Sequence, residues 1–472
     1  MATKQLILWC GDGDGGSGGA RIIDAATGAQ LRDSPRFHAT TDSTEGFAEY
    51  QNYFYLVDSD SSLVCYDKDN VYQTRVDLGY NDDPGEAIWT TAAGVHVLKK
   101  NKTFNTFNPL TNNLHKLMTY AHGTLAEVSA VVLDSGPALG DAASNTSYLY
   151  SVDRVYAADA TGFWTSSNNS TVFTSGEGLV KVGYNGAVLD TWEPATVQNF
   201  NIVQAATGQW LSFDQSDAYA LMAWRTLDFA TKTIGATVGP VNLNPTFSAA
   251  ALNGQGSLNN FYKQDYQVAI EADGSMTIPI NWGNGDVAGS PAFNGQGKGA
   301  GVAIFNVTTA GAMTCLSIST LPYYDNYKAD PANPRFSNNV RGVRRLSATE
   351  WVVADNYGVW KINQATGAVV WNFQWLDAVQ QAYSGDGEVF SLLKLVNWEA
   401  YSLSGTVTDA AGADARKVRV HDQQNGEVVT TATTDVNGLY TAEVFSSKPK
   451  YVVCASVDDT KNFGINAHVV PA

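Results

Sequence analysis

Short apolar runs recur along the chain, and each is interrupted by a turn led by Asp, Asn or Gly before a second run begins. Alternation of apolar and polar positions on both sides of such a turn is typical of a β-hairpin. The turn residue can bond its own backbone, and a nearby Gly supplies a positive φ. Seven segments follow this pattern, and their turns open at Asp24, Asp67, Asn108, Gly183, Asp228, Asn306 and Asn363.

The spacing of these hairpins predicts a repeated four-stranded unit. The gaps 24 to 67, 67 to 108 and 183 to 228 are about 40–45 residues long, which is the period of a β-propeller blade. The other gaps are longer, and their surplus falls in stretches rich in Gly, Asn and Ser. The pattern therefore predicts an all-β chain with a seven-bladed β-propeller over residues 1–400. A propeller of six or eight blades is the alternative.

The first blade has three strands at most, within residues 5–33, and needs a fourth. The run Glu388-VFSLLKLV follows the last hairpin and has no other sheet to join. If this run pairs with the N-terminal strands, the ring closes and no sheet edge is left exposed. We therefore expect the two ends of the propeller to meet in one sheet, through a strand near residues 388–396.

From residue 401 to 472 the pattern changes to strict alternation with frequent turns, which predicts a small β-sandwich. Three stretches, Gly405-TVTDAAG, Val418–Asp422 and Thr434-DVNGLY, resemble the carboxypeptidase-regulatory-like domain of the transthyretin-like, Ig-like sandwich class. The closing Asn466-Ala467 and Val470-Pro471 pairs are similar to the ends of this module in structural proteins of tailed bacteriophages. The resemblance covers the last seventh of the chain and implies a structural role in a virion.

The charge of the chain argues against nucleic acid as a partner. Its 46 acidic and 29 basic residues give a net charge of −17, and the longest basic cluster is the short run Arg341-GVRR. Phosphate backbones would be repelled by most of such a surface. No apolar run is long enough to cross a bilayer, and the N-terminal segment lacks the apolar core of about 7–15 residues found in signal peptides. We therefore expect synthesis in the host cytoplasm, no export by the general pathway and no membrane insertion.

The motifs give no sign of an enzyme, a cofactor or a metal site. The six histidines lack H-E-x-x-H spacing and the four cysteines are isolated. No G-x-S-x-G elbow exposes a nucleophilic serine, and no G-x-G-x-x-G follows a strand and opens a helix. The loop containing Asp12 and Asp14 is the most metal-like stretch, but it lacks the later ligands of a helix–loop–helix calcium site. We interpret it as a hairpin connection. A pair of acidic side chains that converge from separate loops stays open as an alternative.

Long loops on a rigid scaffold commonly carry function, so the inserted loops are predicted to make the partner contacts. They lie at about 134–147, 165–178, 252–262, 283–300 and 320–338. The last of them is aromatic and has no strand periodicity. Its candidate contact residues are Tyr323, Tyr324, Tyr327, Arg335 and Phe336.

Two hypotheses about function follow. The leading one is a non-enzymatic structural protein of a tailed-phage virion, in the tail, tail tip or fibre region. Its partners would be other virion proteins in a symmetric assembly, together with a host surface receptor or glycan. The alternative is an extracellular carbohydrate-binding or glycan-processing propeller protein that is exported without a standard leader.

Overall fold

The structure of the protein is a computed structural model, and every element that it describes is a β-strand. In the part of the chain that the structure describes, no helix is long and apolar enough to cross a membrane. The described residues are 3–10, 19–33, 46–57, 62–78, 88–99, 116–133, 155–167, 178–194, 201–204, 210–215, 221–242, 269–270, 275–283, 298–307, 313–320, 340–347, 349–355, 358–363, 369–374, 390–407, 416–456 and 462–469.

The first 400 residues form seven antiparallel sheets, numbered here as blades 1 to 7, with strands numbered in chain order. Blade 1 contains, in sheet order, Phe390–Trp398 (β29), Thr3–Cys10 (β1), Gly19–Asp24 (β2) and Gln30–Asp33 (β3). Blade 2 contains Gly46–Tyr50 (β4), Tyr53–Val57 (β5), Ser62–Asp67 (β6) and Tyr72–Asp77 (β7). Blade 3 contains Ile88–Thr91 (β8), Gly94–Lys99 (β9), Lys116–Tyr120 (β10) and Glu127–Val132 (β11).

The remaining blades follow the same order along the chain. Blade 4 contains Val155–Ala158 (β12), Gly162–Ser167 (β13), Gly178–Gly183 (β14) and Val188–Trp192 (β15). Blade 5 contains Asn201–Gln204 (β16), Trp210–Gln215 (β17), Leu221–Asp228 (β18), and an outer strand in two pieces, Thr233–Ile234 (β19) and Val238–Asn242 (β20). Blade 6 contains Ala269–Ile270 (β21), Ser275–Gly283 (β22), Lys298–Val307 (β23) and Met313–Thr320 (β24), and blade 7 contains Val340–Arg345 (β25), Glu350–Asp355 (β26), Gly358–Asn363 (β27) and Val369–Gln374 (β28).

The ring closes by pairing its two ends. Strand β1 lies between β29 and β2 and is antiparallel to both, so that Ile7 stands opposite Lys394 on one side and Ile22 on the other. This is the pairing that the incomplete first blade requires. Because blade 1 draws on both termini of the propeller, β1 is an interior strand with partners along its whole length.

The hairpin turns form for the reason that the sequence suggests. The Asp24 carboxylate accepts hydrogen bonds from the N–H groups of Ala26 (2.8 Å) and Thr27 (2.7 Å), which fixes the turn between β2 and β3. Asp228 binds the N–H groups two and three residues further on in the same way, at 2.8 and 3.1 Å. Turns of this type hold their own backbone before the strands pair.

The sequence pattern predicts a hairpin turn at Asn108 as at the other six positions, and the structure corrects its place within blade 3. The outer hairpin of blade 3 joins β10 to β11 through residues 121–126, and Asn108 lies outside the described residues, in the connection from β9 to β10. This turn has no Asp or Asn at its start. Instead, Gly123 and Leu125 adopt positive φ angles of 74° and 52°, and backbone bonds link Ala121 to Leu125 and Ala126. The sequence pattern that marks the other outer hairpins is therefore missing from this turn.

The cores lie between neighbouring blades. In the described part of the chain, one apolar cluster joins blades 1 and 2, a second joins blades 2 and 3, a third joins blades 3 and 4, and a fourth joins blades 4 and 5. Trp89, Trp192 and Trp360 are buried, as expected for aromatic side chains that pack between sheets. The chain up to Trp398 is thus a seven-bladed β-propeller.

A small sandwich follows the propeller. One sheet pairs Tyr401–Thr406 (β30) with Leu439–Val444 (β33), and the other has the order Val428–Thr433 (β32), Arg416–Asp422 (β31), Lys450–Ser456 (β34), Asn462–Val469 (β35). The two sheets share an apolar core, to which Leu403 and Ala442 contribute from one sheet and Val418 and Val452 from the other. At the turn before β33, Gly438 has a φ of 76°, and a Cβ there would clash with the carbonyl oxygen of Val407.

We predict that deletion of residues 1–10 abolishes cooperative folding. The deletion removes β1 from the middle of blade 1, so that β29 and β2 lose their common partner and expose their backbone groups. Thermal unfolding followed by circular dichroism tests this. Deletion of Met1 and Ala2 alone, which leaves β1 complete, serves as the control. A protein that lacks residues 1–10 and melts at the wild-type temperature would contradict the closure.

Candidate interaction surfaces

The order of the strands gives the ring two different faces. In blades 2 to 7 the first and third connections lie at one end of the sheet, because neighbouring strands are antiparallel. The second connection and the link to the next blade lie at the other end. We call the first end the turn face and the second the loop face. At the turn face neighbouring blades are in contact: the Thr90 hydroxyl of blade 3 donates to the Glu49 carbonyl of blade 2 at 2.8 Å.

The connections at the two faces differ in length. Those at the turn face span between two and six residues in every blade. At the loop face the chain leaves Val132 and returns at Val155, leaves Asn242 and returns at Ala269, and leaves Thr320 and returns at Val340. All five inserted loops that the sequence singled out start and end on the loop face, since the remaining two join β13 to β14 and β22 to β23.

The candidate contact residues belong to this face by their place in the chain. Tyr323, Tyr324, Tyr327, Arg335 and Phe336 lie outside the described residues, between the end of β24 and the start of β25. The loop containing Asp12 and Asp14 also lies outside them, between β1 and β2. These contacts therefore stay predictions.

The sandwich occupies the opposite face, under blade 2. The Ser447 N–H and hydroxyl both donate to the Asn52 side-chain oxygen, at 3.2 and 3.0 Å. Each unit also contributes to the apolar core of the other. Val71 of the β6–β7 turn packs into the core of the sandwich, and Phe445 of the sandwich packs into the core between blades 1 and 2, with Trp398. We call this contact between the turns of blade 2 and the sandwich the seam. Apolar side chains from both units exclude water from it.

Five charged side chains meet at the seam. They are Asp67 and Asp69 from the turn of blade 2, and Asp422, Lys448 and Lys450 from the sandwich. Lys450 Nζ is 2.9 Å from Asp69 Oδ2 and 3.5 Å from Asp422 Oδ2, and these three side chains are fully buried. Burial, reinforced by repulsion from Asp69, raises the pKa of Asp67 to about 7. Sequence reasoning missed this cluster, because each residue taken alone reads as an ordinary turn or strand end.

A further polar cluster lies between blades 2 and 3 on the turn face. The His122 ring stacks on Tyr50, with centroids 4.0 Å apart. Its Nε2 donates to the Thr91 carbonyl at 2.8 Å, so its Nδ1 is the acceptor for the Tyr55 hydroxyl at 2.9 Å. Both ring nitrogens have partners within the protein, and this arrangement ties two blades together.

His96 belongs to the same cluster but is more deeply buried. Its Nε2 lies 2.8 Å from the Thr91 hydroxyl and its Nδ1 lies 3.0 Å from the Thr119 hydroxyl. Burial, with a smaller contribution from His122, lowers the pKa of His96 to about 4. In the described ranges no group of three His, Cys, Asp or Glu side chains is placed to hold a metal ion.

Comparisons with known proteins do not identify a family for the chain. No family model matches the chain, and no curated protein matches it. Similar solved structures include the periplasmic gluconolactonase PpgL of Pseudomonas aeruginosa, at 10% identity over 83% of this chain and 99% of that one, with a TM-score of 0.46. A protein of Lactobacillus plantarum is 11% identical over 84% and 100%, with a TM-score of 0.43. BamB of Moraxella catarrhalis is 10% identical over 93% and 91%, with a TM-score of 0.32. Identities and scores this low carry no information on activity or partners.

We predict that replacing Phe445 by Ala destabilises the propeller as well as the sandwich. The side chain fills the core between blades 1 and 2, so its loss leaves a cavity that costs about 3–5 kcal/mol. Denaturant unfolding gives the free energy, and hydrogen exchange of β5 and β6 shows whether blade 2 loosens. The control is Val436→Ala at a turn position that is 80% exposed, which should leave both measurements unchanged.

We also predict that His96 makes the protein less stable in acid. Its pKa is lower in the folded state than in the unfolded chain, so the unfolded chain binds more protons between about pH 4 and 6.5. His96 should therefore lower the free energy of unfolding by up to about 2 kcal/mol as the pH drops through this window, against an opposite contribution from Asp67, whose pKa is raised by burial. We expect the His96→Gln variant to lose this contribution to the pH dependence of the free energy of unfolding. The matched control is His421→Gln, which removes an imidazole from the sandwich. An equal slope in His96→Gln and wild type would contradict the prediction.

Proposed function

We propose that the protein is a non-enzymatic interaction protein that presents its loop face to a partner and carries the sandwich as a fixed extension on the turn face. The observation that carries the proposal is the segregation of the long connections. All five inserted loops begin and end on one face, and the sandwich is fixed to the other. Insertions with no role would have no reason to avoid the turn face of every blade.

Energetics support a contact role for these loops. Ordering a long connection costs conformational entropy, and a ring needs only short turns to link its strands. The turn face meets that need with connections of two to six residues. A partner that orders the loops on binding would offset the entropy, and the blades hold the loop ends in place.

The virion assignment is the finer part of the proposal. We infer a place in the tail, tail tip or fibre region of a tailed-phage particle, with other virion proteins and a host receptor or glycan as partners. This inference rests on the resemblance of Gly405-TVTDAAG, Thr434-DVNGLY and the C-terminal segment to the phage module. The net charge of −17 agrees with protein or glycan partners rather than nucleic acid.

A set of loop variants tests the contact role. In the connection from β24 to β25, Tyr323, Tyr324, Tyr327 and Phe336 are replaced by Ser and Arg335 by Gln, and the other four inserted loops are shortened in turn. We expect at least one variant to lose assembly into particles or adsorption to the host by tenfold or more, with unchanged thermal stability. The control is Thr231→Ala in an exposed turn on the other face. Normal assembly and adsorption in all five would place the contacts elsewhere.

Two measurements separate the virion assignment from the alternative. Immunogold labelling of purified particles should place the chain in the tail region, and its absence from particles would overturn the assignment. A glycan array and a panel of chromogenic glycosides are then applied to the purified chain. Turnover of a glycoside would favour the glycan-processing alternative over a non-enzymatic role.

A further inference from the structure

We propose that Lys450 and Asp69 condense into an intramolecular amide bond that joins the sandwich covalently to the propeller. The proposal does not depend on what the loop face binds. It starts from a buried amine that lies against two buried carboxylates, one from each side of the seam. Lys450 and Asp422 have no exposed surface, and Asp69 has 1%.

The reacting groups are in direct contact. Lys450 Nζ lies 2.9 Å from Asp69 Oδ2, the distance of a charge-assisted pair. Among the described residues, Lys450 Nζ, Asp69 Oδ2 and Asp422 Oδ2 have no hydrogen-bond partner outside this cluster. A nucleophile and a carboxyl group held together in this way react with effective concentrations far above any in solution, of about 10⁵–10⁸ M in well-oriented cases.

The two oxygens of Asp69 are placed for different roles. Oδ1 accepts a short hydrogen bond of 2.6 Å from the Phe445 N–H, and this donor can stabilise the negative charge that develops on Oδ1 when Nζ adds to Cγ. Oδ2 faces the amine and is the oxygen that leaves. The backbone of Phe445 is held in turn by the burial of its ring in the propeller core.

Asp422 is placed to carry the proton. Its Oδ1 accepts N–H bonds from Gln424 (2.8 Å) and Asn425 (3.3 Å), which fix the carboxylate, and its Oδ2 lies 3.5 Å from Lys450 Nζ. The step balances without any co-reactant. The Nζ–Cγ bond forms and the Cγ–Oδ2 bond breaks. Two of the three ammonium protons move to Oδ2, one of them through Asp422, and water leaves.

Electrostatics favour the product. Burial by itself would lower the pKa of Lys450, but the nearby carboxylates of Asp69, Asp67 and Asp422 outweigh burial. The pKa of Lys450 is therefore raised, and the amine rests as an ammonium in an ion pair. Transfer of one proton within the pair gives the neutral amine and acid without exchange with solvent. The amide then replaces two buried charges with one neutral group, which removes their desolvation penalty. Three ionisable groups remain after the reaction. The positive charge of Lys448 stays next to the carboxylates of Asp67 and Asp422.

Lys448 is the matched comparison within the same cluster. Its Nζ lies 3.4 Å from Asp67 Oδ2 and 3.6 Å from Asp422 Oδ2, so it shares the electrostatic surroundings. However, its side chain reaches solvent and donates to Gln73 Oε1 at 2.8 Å. Because this amine is partly hydrated and donates to a neutral acceptor, it is not held against a single carboxyl group as Lys450 is. The proposal therefore assigns the cross-link to Lys450 alone of these two lysines.

Mass spectrometry of the purified full chain under denaturing conditions tests the proposal. We expect an intact mass lower than the sequence mass by one water molecule. Tryptic peptides should include a branched species that joins the segment starting at Asp69 to the segments flanking Lys450, with no cleavage after Lys450. The full sequence mass would overturn the proposal. Loss of water confined to a linear peptide, for example at Asp12–Gly13, would overturn it too.

Paired variants test the roles of the side chains. Asp422→Asn keeps the turn bonds of Asp422 but removes the proton carrier, so we expect a folded chain at its full mass. Asp435→Asn changes an acid with the same turn role elsewhere in the sandwich, and it should keep the cross-link. Lys450→Arg should give the full mass, and Lys448→Arg should still lack one water. A cross-link that persists in Asp422→Asn would refute the role of Asp422. If a variant fails to fold, the peptide map of the wild type decides the proposal by itself.

Discussion

The antiparallel pairing of Thr3–Cys10 with Phe390–Trp398 is the constraint on which the rest of the molecule depends. A ring of sheets closes when one blade takes strands from both ends of the chain, and only short, protected edges then remain. Here the sharing also positions the sandwich, because β29 ends at Trp398, within the core that receives Phe445. Closure of the ring and docking of the sandwich are therefore two results of the same packing.

Much of the architecture could be predicted from local chemistry. Asp24 and Asp228 bind their own turns, so their hairpins are readable from a few residues. The turn at residues 121–126 escaped prediction because it is held by backbone bonds and by a positive φ at Leu125, a conformation that Leu rarely adopts. Such a turn is stable only within the finished blade, and the sequence gives no local sign of it.

The charged seam could not be predicted, for a different reason. Asp69 and Lys450 are separated by 380 positions in the chain, and each lies in a segment with an ordinary local explanation. Their meeting depends on the angle at which the sandwich leaves β29, and on the exchange of Val71 and Phe445 between the two cores. These are properties of the packed molecule. The aromatic loop around Tyr323, in contrast, was found by its composition, and its contacts stay a prediction.

Connectivity explains why the links between blades are long, but not the insertions from β13 to β14 and from β22 to β23, which join neighbouring strands of one blade. In a four-stranded antiparallel sheet, the chain passes from one blade to the next always at the same end. That end must span the distance between blades, so longer connections fit there, while the opposite end can use tight turns. The sandwich packs against one of these tight turns, the one with Asp67 and Asp69, and covers it.

The position of the sandwich has a consequence for symmetry. Seven similar blades give the ring an approximate sevenfold axis, but the sandwich lies under blade 2 and away from that axis. A rotation by one blade would bring it to the turn at residues 121–126, which has no acidic side chain to meet Lys450. The sandwich therefore makes blade 2 different from the other blades and breaks the approximate sevenfold symmetry of the ring. In any cyclic assembly of several copies, each copy therefore has to lie off the axis of the assembly.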